Sequence, residues 1–108
     1  MSLSNDALVF ALGYLNGPRA KLSFGGEGAQ MAITPRARAA LDELLAKGYV
    51  EIAAPSDQIP GREHYQGVAR DPHIGQLARE AGIDPFGKET RWTTFEKIAE
   101  PESPAPSL

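Results

Sequence analysis

The chain has 108 residues, no cysteine and a formal net charge of −3. That length suits one domain with a modest core, and 42% hydrophobic with 23% charged residues is ordinary globular usage, which excludes a wholly disordered chain. Without cysteine there is no disulfide framework, thiolate zinc site or cysteine nucleophile, and a reducing, cytoplasmic compartment fits.

The longest apolar run, Ala7 to Leu15, is broken only by Gly13. It falls well short of the roughly 20 residues of a membrane span. Asp6 stands where a secretory signal would carry a base. Neither membrane insertion nor export is expected. Residues 1–62 hold six basic and six acidic side chains, and residues 63–108 hold five and eight, so the second part carries the whole acidic excess. Within the first part, Arg19, Lys21, Arg36 and Arg38 face only Glu27 in the same stretch. Such a local basic patch survives in an acidic total, because salt screens each charge beyond about 8 Å.

Residues 5–16 predict a first helix. Ser4 is placed to cap it, Leu3 and Leu8 to form its hydrophobic staple, and Asn16-Gly17-Pro18 to stop it. The helix is apolar nearly all round, so it either runs through the core or meets a second subunit through Leu8, Phe10, Leu12 and Leu15. Residues 20–33 predict a hairpin turning at Gly25-Gly26-Glu27-Gly28. Residues 35–47 predict a second helix. Thr34 is its N-cap, Pro35 holds its first position, and Ala37, Ala40, Leu41, Leu44 and Leu45 form one stripe before Gly48.

Tyr49 to Ala53 and Arg62 to Ala69 predict a second hairpin, anchored by Tyr65. Asp71, read as an N-cap before Pro72, opens a helix through Ile74, Leu77, Ala78 and Ala81 that ends at Gly82. Thr93 and Glu96 have capping-box spacing for a last short helix carrying Phe95 and Ile98. The proline-rich residues Glu100–Leu108 predict an extended or disordered tail.

The helix Thr34 to Lys47 contains Leu44-Leu45 and runs through Lys47-Gly48-Tyr49-Val50 into a strand, a loop and a return strand. In this, Thr34 to Ala69 resembles part of a winged-helix domain, in which such a helix passes directly into the wing hairpin. The resemblance covers about a third of the chain. It implies DNA recognition through the helix and the wing. Those domains place a short helix before the recognition helix; here strand-like sequence ending at Met31-Ala32-Ile33 holds that place.

Arg36 and Arg38 stand in the first helical turn, where the helix dipole disfavours positive charge. They either face phosphates or are solvated, with Arg38 paired to Asp42 four residues on. The glycine-rich stretch lacks the lysine and hydroxyl of a phosphate loop and reads as a turn. Glu63, His64, Asp71 and His73 are the one group with metal or acid–base chemistry, but their spacing matches no ligand motif, and alternation puts His64 on an exposed face. Trp92 is expected to pack the last helix onto the core.

The expectation is therefore an α+β, winged-helix-like domain over residues 1–99 with two short hairpins. Its function is nucleic-acid binding through Arg19, Lys21, Arg36 and Arg38, with DNA as partner. The alternative is a protein-interaction or homo-oligomerisation domain, a homodimer through the first helix. No catalytic residue, metal or cofactor is assigned.

Overall fold

A computed structural model describes residues 3–98. The expected tail, Glu100–Leu108, lies outside them. Helix α1 (Asn5–Tyr14) begins where expected: the Ser4 hydroxyl accepts the Ala7 N–H at 3.2 Å, and Leu3 and Leu8 are both buried. Ala7 to Ala11 and Leu15 are buried too, so this all-apolar helix is a core element. Leu8, Phe10 and Leu15 thus face the chain's own interior, and Leu12 is half-buried. The surface assigned to a second subunit is largely spent inside one chain.

Helix α2 (Pro35–Ala46) matches its sequence signals closely. The Thr34 hydroxyl accepts the Ala37 N–H, Pro35 opens the helix, and Ala37, Ala40, Leu41 and Leu44 are buried. Gly48 follows in the left-handed conformation, φ +78°, which a side chain disfavours. Helix α1 packs against α2 and against the later helix α3 (Ile74–Glu80).

The strands are β1 (Lys21–Gly25), β2 (Met31–Ile33), β3 (Val50–Ile52), β4 (Arg62–Gly67) and β5 (Phe95–Lys97). The hairpin β3–β4 forms as predicted, with Val50 opposite Gly67 and Ile52 opposite Tyr65. The first predicted hairpin does not form. Strand β1 pairs antiparallel with β4, with Leu22 opposite Tyr65 and Gly25 opposite Arg62, giving a three-stranded sheet in the order β1-β4-β3. Strand β2 pairs instead with β5, with Met31 opposite Lys97 and Ile33 opposite Phe95. The positive φ angles of Gly25, Gly26 and Gly28 part the two strands rather than closing them into a ladder.

The last predicted helix is therefore a strand. Extending the backbone pairs this segment with β2 and turns Phe95 inward, its ring centroid 5.4 Å from those of both Tyr14 and Phe24, while Glu96 and Lys97 stay exposed. Trp92 packs against the core without a following helix. Asp71 is not the cap of α3, which starts three residues further on. His73 holds that place, its Nδ1 accepting the Gln76 N–H at 3.3 Å. No helix among the described residues is long and apolar enough to cross a membrane.

Candidate binding cleft between two strand edges

Residues directly opposite one another in a sheet share a face. Leu22, Phe24, Glu63 and Tyr65 therefore line the face towards α2, and Lys21, Ser23, Gly25, Arg62, His64 and Gln66 line the other. This division decides where the predicted site residues go.

On the α2 face, Arg38 donates to both carboxylate oxygens of Glu63 at 2.7 and 2.6 Å, and the Tyr65 hydroxyl donates to Oε1 at 2.5 Å. The Arg38 guanidinium also lies 5.3 Å from the Phe24 ring centroid. These hydrogen bonds, Arg38's first, hold the Glu63 carboxyl below its ordinary value, and Arg38 is pushed up in return. Burial, and then the hydrogen bond to Glu63 and its charge, pushes the Tyr65 phenol up. Arg38 thus bonds Glu63 and not Asp42, because β4 brings a carboxylate into bidentate reach.

Arg36 is occupied in the same way. It donates through Nε and a terminal nitrogen to the two oxygens of Asp6 at 2.8 and 2.7 Å, and it lies 4.4 Å from the centroid of Trp92. The hydrogen bond from Arg36 lowers the Asp6 carboxyl. Arg19 and Lys21 are exposed and make no ion pair among the described residues. The four cations occupy separate places. Asp6 holds Arg36 at the first turn of α1, and Arg19 follows the far end of that helix, about 15 Å of rise away. Lys21 and Arg38 lie on opposite sheet faces.

On the other face, the Ser23 hydroxyl and His64 Nδ1 share a hydrogen bond at 2.8 Å, and Asp57 Oδ1 stands 3.6 Å from His64 Nε2. His64 is 6% exposed, not solvent-facing, because the β3–β4 loop folds over it. Asp57 also accepts the Ile59 N–H at 3.1 Å, which fixes that loop. Glu63, His64 and His73 do not converge: one faces α2, one the loop, and one caps α3. No group of three or more metal-ligating side chains occurs among the described residues.

The site that sequence reasoning missed lies between the two sheets. Strand β1 is an edge of one and β2 an edge of the other. Antiparallel ladders direct the backbone groups of successive residues alternately to either side. The Gly67 N–H reaches the Ala20 carbonyl, so Leu22 and Phe24 bond β4, and Lys21, Ser23 and Gly25 point outward. The Thr34 N–H reaches the Thr94 carbonyl and the Ile98 N–H the Gln30 carbonyl, so Met31 and Ile33 point away from β5. Between these edges runs a cleft of about 320 Å³. Leu22, Phe24, Met31 and Phe95 give it apolar walls, Ser23 borders it, and Arg62 is its one charged lining side chain. Met31 is 46% exposed there. The Arg62 Nε is buried without a hydrogen bond, although Asp57 Oδ2 lies 3.2 Å away as an ion-pair partner.

No protein-family model matches the chain, no curated protein matches it in sequence, and no solved structure matches its fold.

Proposed function

We propose that the chain is a winged-helix-like protein-interaction module that takes an extended peptide along one strand edge of the apolar cleft flanked by β1 and β2. The observation that carries this reading is the pair of unpaired strand edges flanking one apolar cleft. An unpaired edge is a template for another strand, and proteins that do not use one normally cover or charge it. Main-chain hydrogen bonds would give affinity, and the walls at Phe24, Met31 and Phe95 would select alternate side chains of the guest. The winged-helix description rests on the passage of α2 through Gly48 into the β3–β4 hairpin, with β2 in the place of the preceding helix.

The test uses fluorescein-labelled octapeptides rich in valine, isoleucine and threonine, free of proline, in fluorescence anisotropy. Binding is expected, and backbone N-methylation at alternate guest residues should abolish it by removing ladder donors. Equal binding of the methylated pool, or none by either pool at millimolar protein, would refute strand addition.

A second reading is nucleic-acid binding, favoured by Arg19 and Lys21, which make no ion pair among the described residues. It ranks lower because Arg36 and Arg38 already hold carboxylates, which a phosphate would have to displace.

A further inference from the structure

We propose that Ser23, His64 and Asp57 form a hydrolytic site in which Ser23 attacks carboxylic esters of short apolar acyl groups, independently of any peptide bound along the cleft. Ser23 and His64 stand directly opposite each other on β1 and β4. Leu22 and Phe24 carry the ladder bonds to β4, so Ser23 and His64 exchange no backbone bonds with each other. Side chains approach most closely in pairs of that kind. The register thus sets the Ser23 Oγ 2.8 Å from His64 Nδ1. Asp57 Oδ1 stands 3.6 Å from His64 Nε2 and is held in its loop by the Ile59 N–H. A carboxylate beside Nε2 favours the tautomer protonated there, which leaves Nδ1 as the base that accepts the Ser23 proton. Nucleophile, base and orienting carboxylate follow one another in a row.

The surroundings divide the roles. His64 is buried, whereas Ser23 is half-buried and belongs to the cleft lining. Strand β1 is a sheet edge, so the cleft along it is lined from both faces: by Leu22 and Phe24 from one, by Ser23 and Arg62 from the other. A Cβ on Gly25, two residues along, would meet no atom within 4 Å, so the cleft is open beside the serine. The Ser23 N–H points outward from the sheet, a donor for the carbonyl oxygen that turns negative when the nucleophile adds. Phe24, Met31 and Phe95 give an acyl chain its apolar wall, and a cleft of about 320 Å³ suits a small one.

In the first step Oγ bonds to the ester carbonyl carbon as its proton passes to His64 Nδ1. Collapse of the tetrahedral adduct breaks the bond to the leaving oxygen, which takes that proton and departs as the alcohol. Water then adds to the acyl-serine and gives a proton to Nδ1. That proton passes to Oγ as the carboxylic acid leaves.

The experiment treats the full chain with an alkyl fluorophosphonate and, separately, with p-nitrophenyl butyrate. The fluorophosphonate loses fluoride to a reactive serine, so intact mass should rise by one phosphonyl group, and peptide mapping should place it on Ser23. Release of p-nitrophenol should exceed the rate in buffer, and Ser23→Ala should return it to that rate. His64→Gln should slow release about 100-fold or more, the worth of a general base. Asp57→Asn keeps an oxygen for the Ile59 N–H and removes the charge that orients His64, so kcat should fall with KM unchanged. No adduct on Ser23 of the wild type, or equal release by Ser23→Ala, overturns the proposal. The adduct needs no variant, so a His64→Gln protein that failed to fold would not shield it. Failure of the octapeptides to bind would leave both readouts standing.

Discussion

Leu44 is fully buried in α2. Leu44→Ala should cost about 2–5 kcal/mol, read as a shift in the urea midpoint at unchanged slope. A loss under about 1 kcal/mol would show that the site collapses around the void. Ionisable residues set the pH limits of the fold. The carboxyls of Glu63 and Asp6 are held below their ordinary values of 4.5 and 3.8 by their arginines. Burial pushes Glu43 up, yet hydrogen bonds from the Ser4 N–H and hydroxyl outweigh it and leave it lowered. Each group binds its proton more readily unfolded, so its stabilising contribution is whole above that ordinary value. The contribution drains away as pH falls through the lower folded value. Urea midpoints should therefore stay level from pH 7 to about pH 5 and fall steeply below pH 4. Glu63→Gln should show a shallower fall. Tyr65 works in the opposite sense. Its folded value lies above the ordinary 10.0, so its contribution is present below pH 10 and is lost as pH rises past the raised value. Phenolate absorbance should place one tyrosine's ionisation later in the folded protein than in urea.

The elements that sequence reasoning located are those whose causes are local. Thr34, Pro35 and Gly48 define α2 with no help from the rest of the chain, and Ser4 does the same for the start of α1. The β3–β4 hairpin pairs neighbours, so it too was legible. Strands β1 and β2 look like a hairpin locally, and their partners lie about 40 and 60 residues away, which no local pattern shows. The Thr93–Glu96 spacing satisfies a helix rule, but Phe95 gains an aromatic cluster and a ladder by being extended. Burial of His64 was hidden for the same reason, since the covering Asp57 sits in a loop. The turn that separates β1 from β2 offers a direct check. At Gly26, φ is +85° and an added Cβ would press on the Arg62 backbone; at Gly28, φ is +81° and the space is open. Gly28→Ala should cost about 1–2 kcal/mol, the left-handed penalty alone. Gly26→Ala should cost distinctly more by thermal unfolding, and equal losses would mean that the turn moves freely off Arg62.

At the scale of the whole molecule, the buried α1 changes what a charge there would do. Phe10→Glu should prevent folding outright, because it places an unpaired carboxylate in the core. A folded, soluble Phe10→Glu monomer by circular dichroism and light scattering would contradict that. The electrostatic pattern bounds nucleic-acid binding equally well. With Arg36 and Arg38 committed, Arg19 and Lys21 allow a log–log salt slope no steeper than about −2 on duplex DNA. A slope near −4 would mean that the ion pairs open on binding. The candidate cleft itself was not legible, because it belongs to no single segment. Leu22 and Phe24 alternate visibly, but only the β1–β4 register sets Arg62 opposite Gly25, where it joins the lining. The separation of the two sheets also governs how the molecule comes apart. The β2–β5 pair is short and meets the remainder through the Phe95 rings, the Tyr14 hydrogen bond to Thr94 and the packing of β2 on β1. It is expected to open as a unit of its own, at lower free energy than the α1–α2 core. Its amides should exchange with solvent by this partial opening, while those of α1 and α2 await global unfolding. A peptide seated in the cleft, which Phe24, Met31 and Phe95 line together, would tie the two units to each other, so Glu96 and Lys97, which line no part of the cleft, should gain protection on its arrival.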